Sequence, residues 1–70
     1  MNSALGKRIG TRIHTRRRQL GLSQETLAAK ADVGIGRLSE YETGARVPHV
    51  ETLVRIAQAL DVEIGEMICE

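Results

Sequence analysis

Two short stretches of this 70-residue chain carry side chains typed and spaced for recognition chemistry. Ile35, Gly36, Arg37, Ser39 and Glu40 bring together a methyl surface, a bare backbone, a five-donor guanidinium, a hydroxyl and a carboxylate. That set suits a target displaying donors, acceptors and methyl groups side by side. Ser23 and Gln24 supply a hydroxyl and an amide where a helix begins, and the unpaired N–H groups there favour an anionic oxygen. Six of the ten Lys and Arg residues (Lys7, Arg8, Arg12, Arg16, Arg17 and Arg18) precede the first carboxylate, Glu25, while the other four face all nine acidic residues. The basic half is either a polyanion-facing surface or a solvated helix face. His14 and His49 are isolated, and neither accompanies a convincing nucleophile or a set of metal ligands. No catalytic residue, metal or cofactor is expected, and the chain is not expected to be an enzyme.

These side chains need elements to hold them. Ser23 can cap a helix starting at Gln24, because its hydroxyl can accept backbone N–H groups near Glu25 and Thr26. Leu27, Ala28 and Ala31 then recur at helical spacing. Asp32-Val33-Gly34 is turn-compatible, with Val33 directed inward. Leu38 and Tyr41 recur three apart, and Gly44 can provide a left-handed stop. Helices over 24–31 and 35–42, joined by so short a turn, make a helix-turn-helix. With Leu38 and Tyr41 inward, Ile35, Gly36, Arg37, Ser39 and Glu40 lie outward.

A first helix is predicted over 3–19, with Leu5, Ile9, Ile13 and Leu20 as its apolar stripe and Gly21 ending it. Gly6 and Gly10 each cost roughly 1 kcal/mol relative to Ala in a regular helix, so fraying is expected before Ile9. After Pro48, Val50, Leu53, Ile56, Ala57 and Leu60 predict a fourth helix over 50–60. Ile64, Met67 and Ile68 predict a short fifth helix over 64–68. Seventy residues amount to one small domain with one core, near the size where dimerisation is a plausible supplement. The fold class expected is all-α. A lone cysteine, Cys69, excludes an intramolecular disulfide, and no apolar run approaches the ~18 residues of a membrane span. The start of the chain lacks the apolar stretch of a secretory signal, so a cytoplasmic protein without membrane partners is expected.

The order and spacing of Leu22-Ser23-Gln24-x-x-Leu27-Ala28, Val33, Leu38, Glu42, Gly44, Pro48 and Leu53-x-x-Ile56-Ala57-x-Ala59-Leu60-x-Val62 resemble the Cro/repressor-type helix-turn-helix family. The resemblance covers nearly the whole chain. It implies a five-helix lambda-repressor-like domain over 1–70 whose third helix enters the DNA major groove, where base pairs show distinct patterns of donors, acceptors and methyls. Positions matching Ile35, Gly36 and Glu40 touch base edges in related repressors. Here Ile35 suits a thymine methyl or a core contact, and Gly36 a close backbone approach or a simple turn. Glu40 suits cytosine N4 or solvent, and Arg37 guanine or a phosphate. The first two positions depart from the amide side chains common in relatives, so the operator is not inherited.

Gln24 and Thr43 match phosphate-contact positions, with Ser23 and Arg46 as further backbone candidates; Arg46 is equally suited to solvent. Arg17 and Glu42 match a cross-helix pair of close relatives, which would place Arg17 near a phosphate as well. Family pairing near the last helices makes Val50, Ile64, Met67 and Ile68 candidate dimer contacts, or else parts of the monomer core. The function implied is a homodimeric regulator on a palindromic duplex site, such as a phage-type repressor or a restriction-modification controller. An antitoxin-type autoregulator that also binds a toxin, or a protein-interaction adaptor without DNA affinity, shares the same fold.

Overall fold

The capping chemistry at Ser23 sets the start of the helix that follows it. In the computed structural model, which describes residues 2–68 with side chains from residue 4 to residue 68, the Ser23 hydroxyl accepts the Thr26 N–H at 3.0 Å. It also donates to Thr26 Oγ1 at 2.9 Å. Five helices result: α1 (Asn2–Gln19), α2 (Gln24–Ala31), α3 (Ile35–Thr43), α4 (Val50–Ala59) and α5 (Ile64–Ile68). No strand forms among the described residues. The stop after α2 is made by Asp32 rather than a glycine. Asp32 takes the left-handed conformation at φ 58°, and its N–H reaches the Ala28 and Ala29 carbonyls. Aspartate tolerates this region better than most residues because its short polar side chain can bond locally. After α3, Gly44 adopts φ 84° and caps the Glu40 and Tyr41 carbonyls.

The core is aliphatic apart from Tyr41. Ile9 and Ile13 of α1 meet Leu27, Ala28 and Ala31 of α2, Leu38 and Tyr41 of α3, Leu53, Ile56 and Ala57 of α4, then Leu60 and Met67. Burying each of the largest members contributes roughly 1.5–3 kcal/mol relative to exposure. α1 packs on α3 and α5, and α2 packs on α3 and α4. α3 is thereby held from one side only, leaving its other side to solvent.

Several expectations are corrected. α1 is continuous from Asn2, so Gly6 and Gly10 do not interrupt it. They are the point where α1 crosses the end of α3: a Cβ on Gly10 would stand 2.7 Å from the Glu42 carbonyl oxygen, and one on Gly6 3.2 Å from that of Gly44. Only glycine admits so close a backbone approach. Leu5 and Leu20 lie exposed, Leu20 because α1 ends at Gln19 and the turn carries it past the core. Val50 is 71% exposed, since the first residue of α4 precedes the helix face that meets α2. Met67 is fully buried in this chain's own core, which removes it from the candidate dimer contacts. Ile64 packs partly against that core, whereas Ile68 is exposed. Cys69 lies outside the described residues.

The basic half of the chain is also not one surface. Arg16 Nε donates to the Leu60 carbonyl at 3.1 Å, and Arg12 Nη1 donates to that of Glu66 at 3.2 Å. Arg55 Nε likewise donates to the Ala31 carbonyl at 3.0 Å. Arg16 and Arg55 answer unpaired carbonyls at helix C-termini, where a cation also meets the negative end of the helix dipole. Lys7 and Arg18 remain exposed.

Candidate nucleic-acid interface

Buried Leu38 and Tyr41 fix the rotation of α3, so that Ile35, Gly36 and Arg37 stand exposed on its opposite side. Ile35 is 46% exposed although it is among the larger apolar side chains. Beyond Gly36 there is open space, with nothing outside its own stretch of helix within 4 Å of where a Cβ would stand. Ser39 and Glu40 are half-buried. A bare turn of helix beside an exposed isoleucine is shaped for close approach to a flat partner.

Glu40 does not stand alone. Its Oε1 accepts from Arg46 Nε at 2.9 Å and lies 3.5 Å from Arg37 Nε, so one carboxylate sits between two guanidinium groups. All three side chains are about half exposed, and a pair of that kind contributes about 0–1 kcal/mol. It can therefore exchange partners when a ligand arrives. Thr43 Oγ1 donates to the Glu40 carbonyl at 3.1 Å and accepts from Ala45 N–H at 3.4 Å, helping close the end of α3. Ser23 remains exposed at the start of α2 while serving as its cap.

Beneath this surface lies a buried polar cluster. Arg17 Nε donates to Glu42 Oε2 at 2.7 Å and Nη2 donates to Oε1 at 3.1 Å, a two-pronged bond between α1 and α3. Arg17 Nη1 donates to the Leu22 carbonyl at 2.8 Å, tying the same guanidinium to the α1–α2 turn. Arg17 is only 8% exposed, so in this structure it braces three segments rather than offering an open cation. Glu42 Oε1 accepts in addition from Gln24 Nε2 at 3.2 Å and stands 3.0 Å from His14 Nδ1. Burial pushes the Glu42 carboxyl up, but bonds from Arg17, His14 and Gln24, with the Arg17 charge, outweigh it and hold the carboxyl below its ordinary value.

Sequence reasoning anticipated neither His14 nor Gln24 in this cluster. A signal was available for His14. It lies three residues before Arg17 on α1, a spacing that places the two side chains together. Gln24 reaches Glu42 across helices, and only the fold supplies that meeting. His49 is exposed at the start of α4 and makes no side-chain cap there. Among the described residues, no group of three or more His, Cys, Asp or Glu is placed to hold a metal.

A helix-turn-helix formed by α2 and α3, clamped onto α1 and closed by two further helices, defines the lambda-repressor-like class of domain. The chain belongs to the helix-turn-helix family of Cro/C1 type, whose family model matches residues 13–67. It is 39% identical over 62 residues to an uncharacterised helix-turn-helix-type transcriptional regulator, y4dJ, of Sinorhizobium fredii, a match covering 89% of this chain and 80% of that protein. Among solved structures it is similar to the restriction-modification controller protein C.AhdI from Aeromonas hydrophila. That likeness has a TM-score of 0.88 and 33% identity, over 91% of this chain and 97% of C.AhdI. It is also similar to the P22 c2 repressor, solved in complex with a synthetic operator. There the TM-score is 0.83 with 26% identity, over 87% of this chain and 92% of the repressor. No helix among the described residues is long and apolar enough to cross a membrane.

Proposed function

We propose that the protein is a sequence-specific double-stranded DNA-binding transcriptional regulator that acts as a homodimer on an inverted-repeat operator in the cytoplasm. The observation that carries this reading is the exposed side of α3, where Ile35, Gly36 and Arg37 face solvent while Leu38 and Tyr41 hold the helix from behind. Such a helix fits the major groove, and the operator complex of the P22 c2 repressor supports that use of the fold. In this reading Ile35 contacts a thymine methyl and Gly36 lets the backbone close on the base edges. Arg37, Ser39 and Glu40 supply polar readout, with Glu40 first releasing Arg46.

Ser23, Gln24, Thr43 and Arg46 contact phosphates on either side, and Arg17 acts through Glu42 by fixing α3 against α1. Exposed Val50 and Ile68, with the open edge of Ile64, form the dimer contact. Two-fold symmetry then spaces the recognition helices by one DNA turn, roughly 34 Å. The likeness to C.AhdI supports a restriction-modification controller, and that to the P22 repressor a phage-type repressor.

The test is selection of bound duplexes from a random pool, followed by titration of the enriched site at several salt concentrations. A repeated inverted motif with steeply salt-dependent affinity is expected. Enrichment of no motif would replace this reading with a protein-interaction adaptor, and a protein partner that blocks the enriched site would indicate an antitoxin role.

A further inference from the structure

His14 has no part in the helix-turn-helix, yet its imidazole is seated in the cluster that supports it. Nδ1 faces inward, 3.0 Å from Glu42 Oε1 and 3.2 Å from Arg17 Nη2. The whole side chain is 46% exposed, which with Nδ1 turned inward puts the outer nitrogen, Nε2, on the more open edge of the ring. The two inner contacts differ in what they leave at that nitrogen. If Arg17 donates to Nδ1, the neutral ring must carry its proton on Nε2. If the ring is protonated, Nδ1–H donates to Glu42, and Nε2 again presents an N–H outward. A neutral ring with its proton on Nδ1 also donates to Glu42 Oε1, beside Arg17 and Gln24, and leaves Nε2 bare, so the outer donor belongs to the ring that accepts from Arg17 or to the protonated ring.

The same carboxylate oxygen also ties the inner edge of the ring to the start of α2. Gln24, at the start of α2, bonds Glu42 Oε1 at 3.2 Å, so His14 and the Gln24 amide flank one atom. We infer that His14 is a DNA-contact residue, donating from Nε2 to the backbone phosphate that also meets Gln24, with the Arg17–Glu42 pair setting its ring orientation. This rests on the DNA-binding reading above. The charged groups within hydrogen-bond distance of the ring are Arg17 on its own helix and Glu42 from α3, while α2 contributes the neutral Gln24 amide. An imidazolium in this place gives Nδ1–H to Glu42 and Nε2–H to the phosphate, two charge-assisted bonds at once.

The experiment compares wild type, His14→Ala and His14→Asn on the selected duplex, by fluorescence anisotropy at about pH 6 over a salt series. Asparagine can keep a polar group where Nδ1 meets Glu42 but cannot reach the position of Nε2. Both variants, checked as folded by thermal melting, are expected to bind about tenfold more weakly with the same sequence preference. Their dependence of log affinity on log salt should be shallower by about 0.9, the loss of one phosphate neutralised. Wild-type affinity in His14→Asn would overturn the contact and leave His14 a purely internal residue. Identical behaviour of all three proteins would overturn it too. If wild type shows no salt-sensitive duplex binding, the DNA reading itself falls and the His14 contact falls with it, a result distinct from normal binding by the variants.

Discussion

Replacing Gly10 with alanine separates local helix propensity from tertiary fit. In an open helix position the change is worth about 1 kcal/mol in favour of alanine. At Gly10 the new methyl would lie 2.7 Å from the Glu42 carbonyl oxygen and closer still to that of Tyr41. Both obstacles are backbone atoms of α3, so neither can rotate away and α1 must move off α3. Overpacking of this severity costs about 3 kcal/mol, and the displacement also pulls on the 2.7 Å bond between Arg17 and Glu42. The net loss is roughly 2 kcal/mol, or about 8–16 °C in melting temperature for a domain of this size. Gly36→Ala is the internal control, because open space surrounds that position in α3. It should gain about 0.5 kcal/mol, less than in a helix interior because Gly36 lies in the first turn of α3, and melt a few degrees higher. Thermal unfolding followed by circular dichroism measures both. If Gly10→Ala melts as high as Gly36→Ala, the close approach of α1 and α3 is not a constraint and the explanation of Gly10 is wrong.

Glu42 makes stability depend on acidity in one direction. Because its folded carboxyl titrates below its ordinary value, its contribution is present at neutral pH and is lost as pH falls below about 4. Glu42→Gln should lower stability at pH 7 by about 3 kcal/mol, since it leaves buried Arg17 without its counter-charge, and should flatten the acid limb of a denaturant-midpoint-versus-pH curve. An unchanged acid limb would show that another group governs it. Glu40→Gln tests the base-reading surface: relative affinities across single-base operator variants should change at one position by about 1–3 kcal/mol, with little change in melting temperature. A uniform shift across all variants would mean that Glu40 acts only through Arg37 and Arg46.

Helix starts and stops were legible in the chain because they depend on neighbours within a few residues. Ser23 caps α2 through its own hydroxyl, and Gly44 ends α3 through its freedom at φ 84°. The aliphatic periodicity of Leu27, Leu38, Leu53 and Ile56 likewise identified their inner faces, and with them the outward set on α3. Side-chain partners were less legible wherever two helices meet. Arg12, Arg16 and Arg17 read as one basic run, yet the fold sends them to Glu66, Leu60 and Glu42 in turn. Long cationic side chains sample many directions, and the nearest unpaired carbonyl or carboxylate after packing decides among them.

The sequence by itself determined an all-α chain with a helix-turn-helix, since caps, glycine stops and hydrophobic period act over one or two turns. Only the tertiary structure decided that Gly6 and Gly10 mark a helix crossing, that Met67 is buried, and that His14 and Gln24 converge on Glu42. Those facts depend on the distance between residues far apart in the chain, a distance set by the joint packing of all five helices around one core.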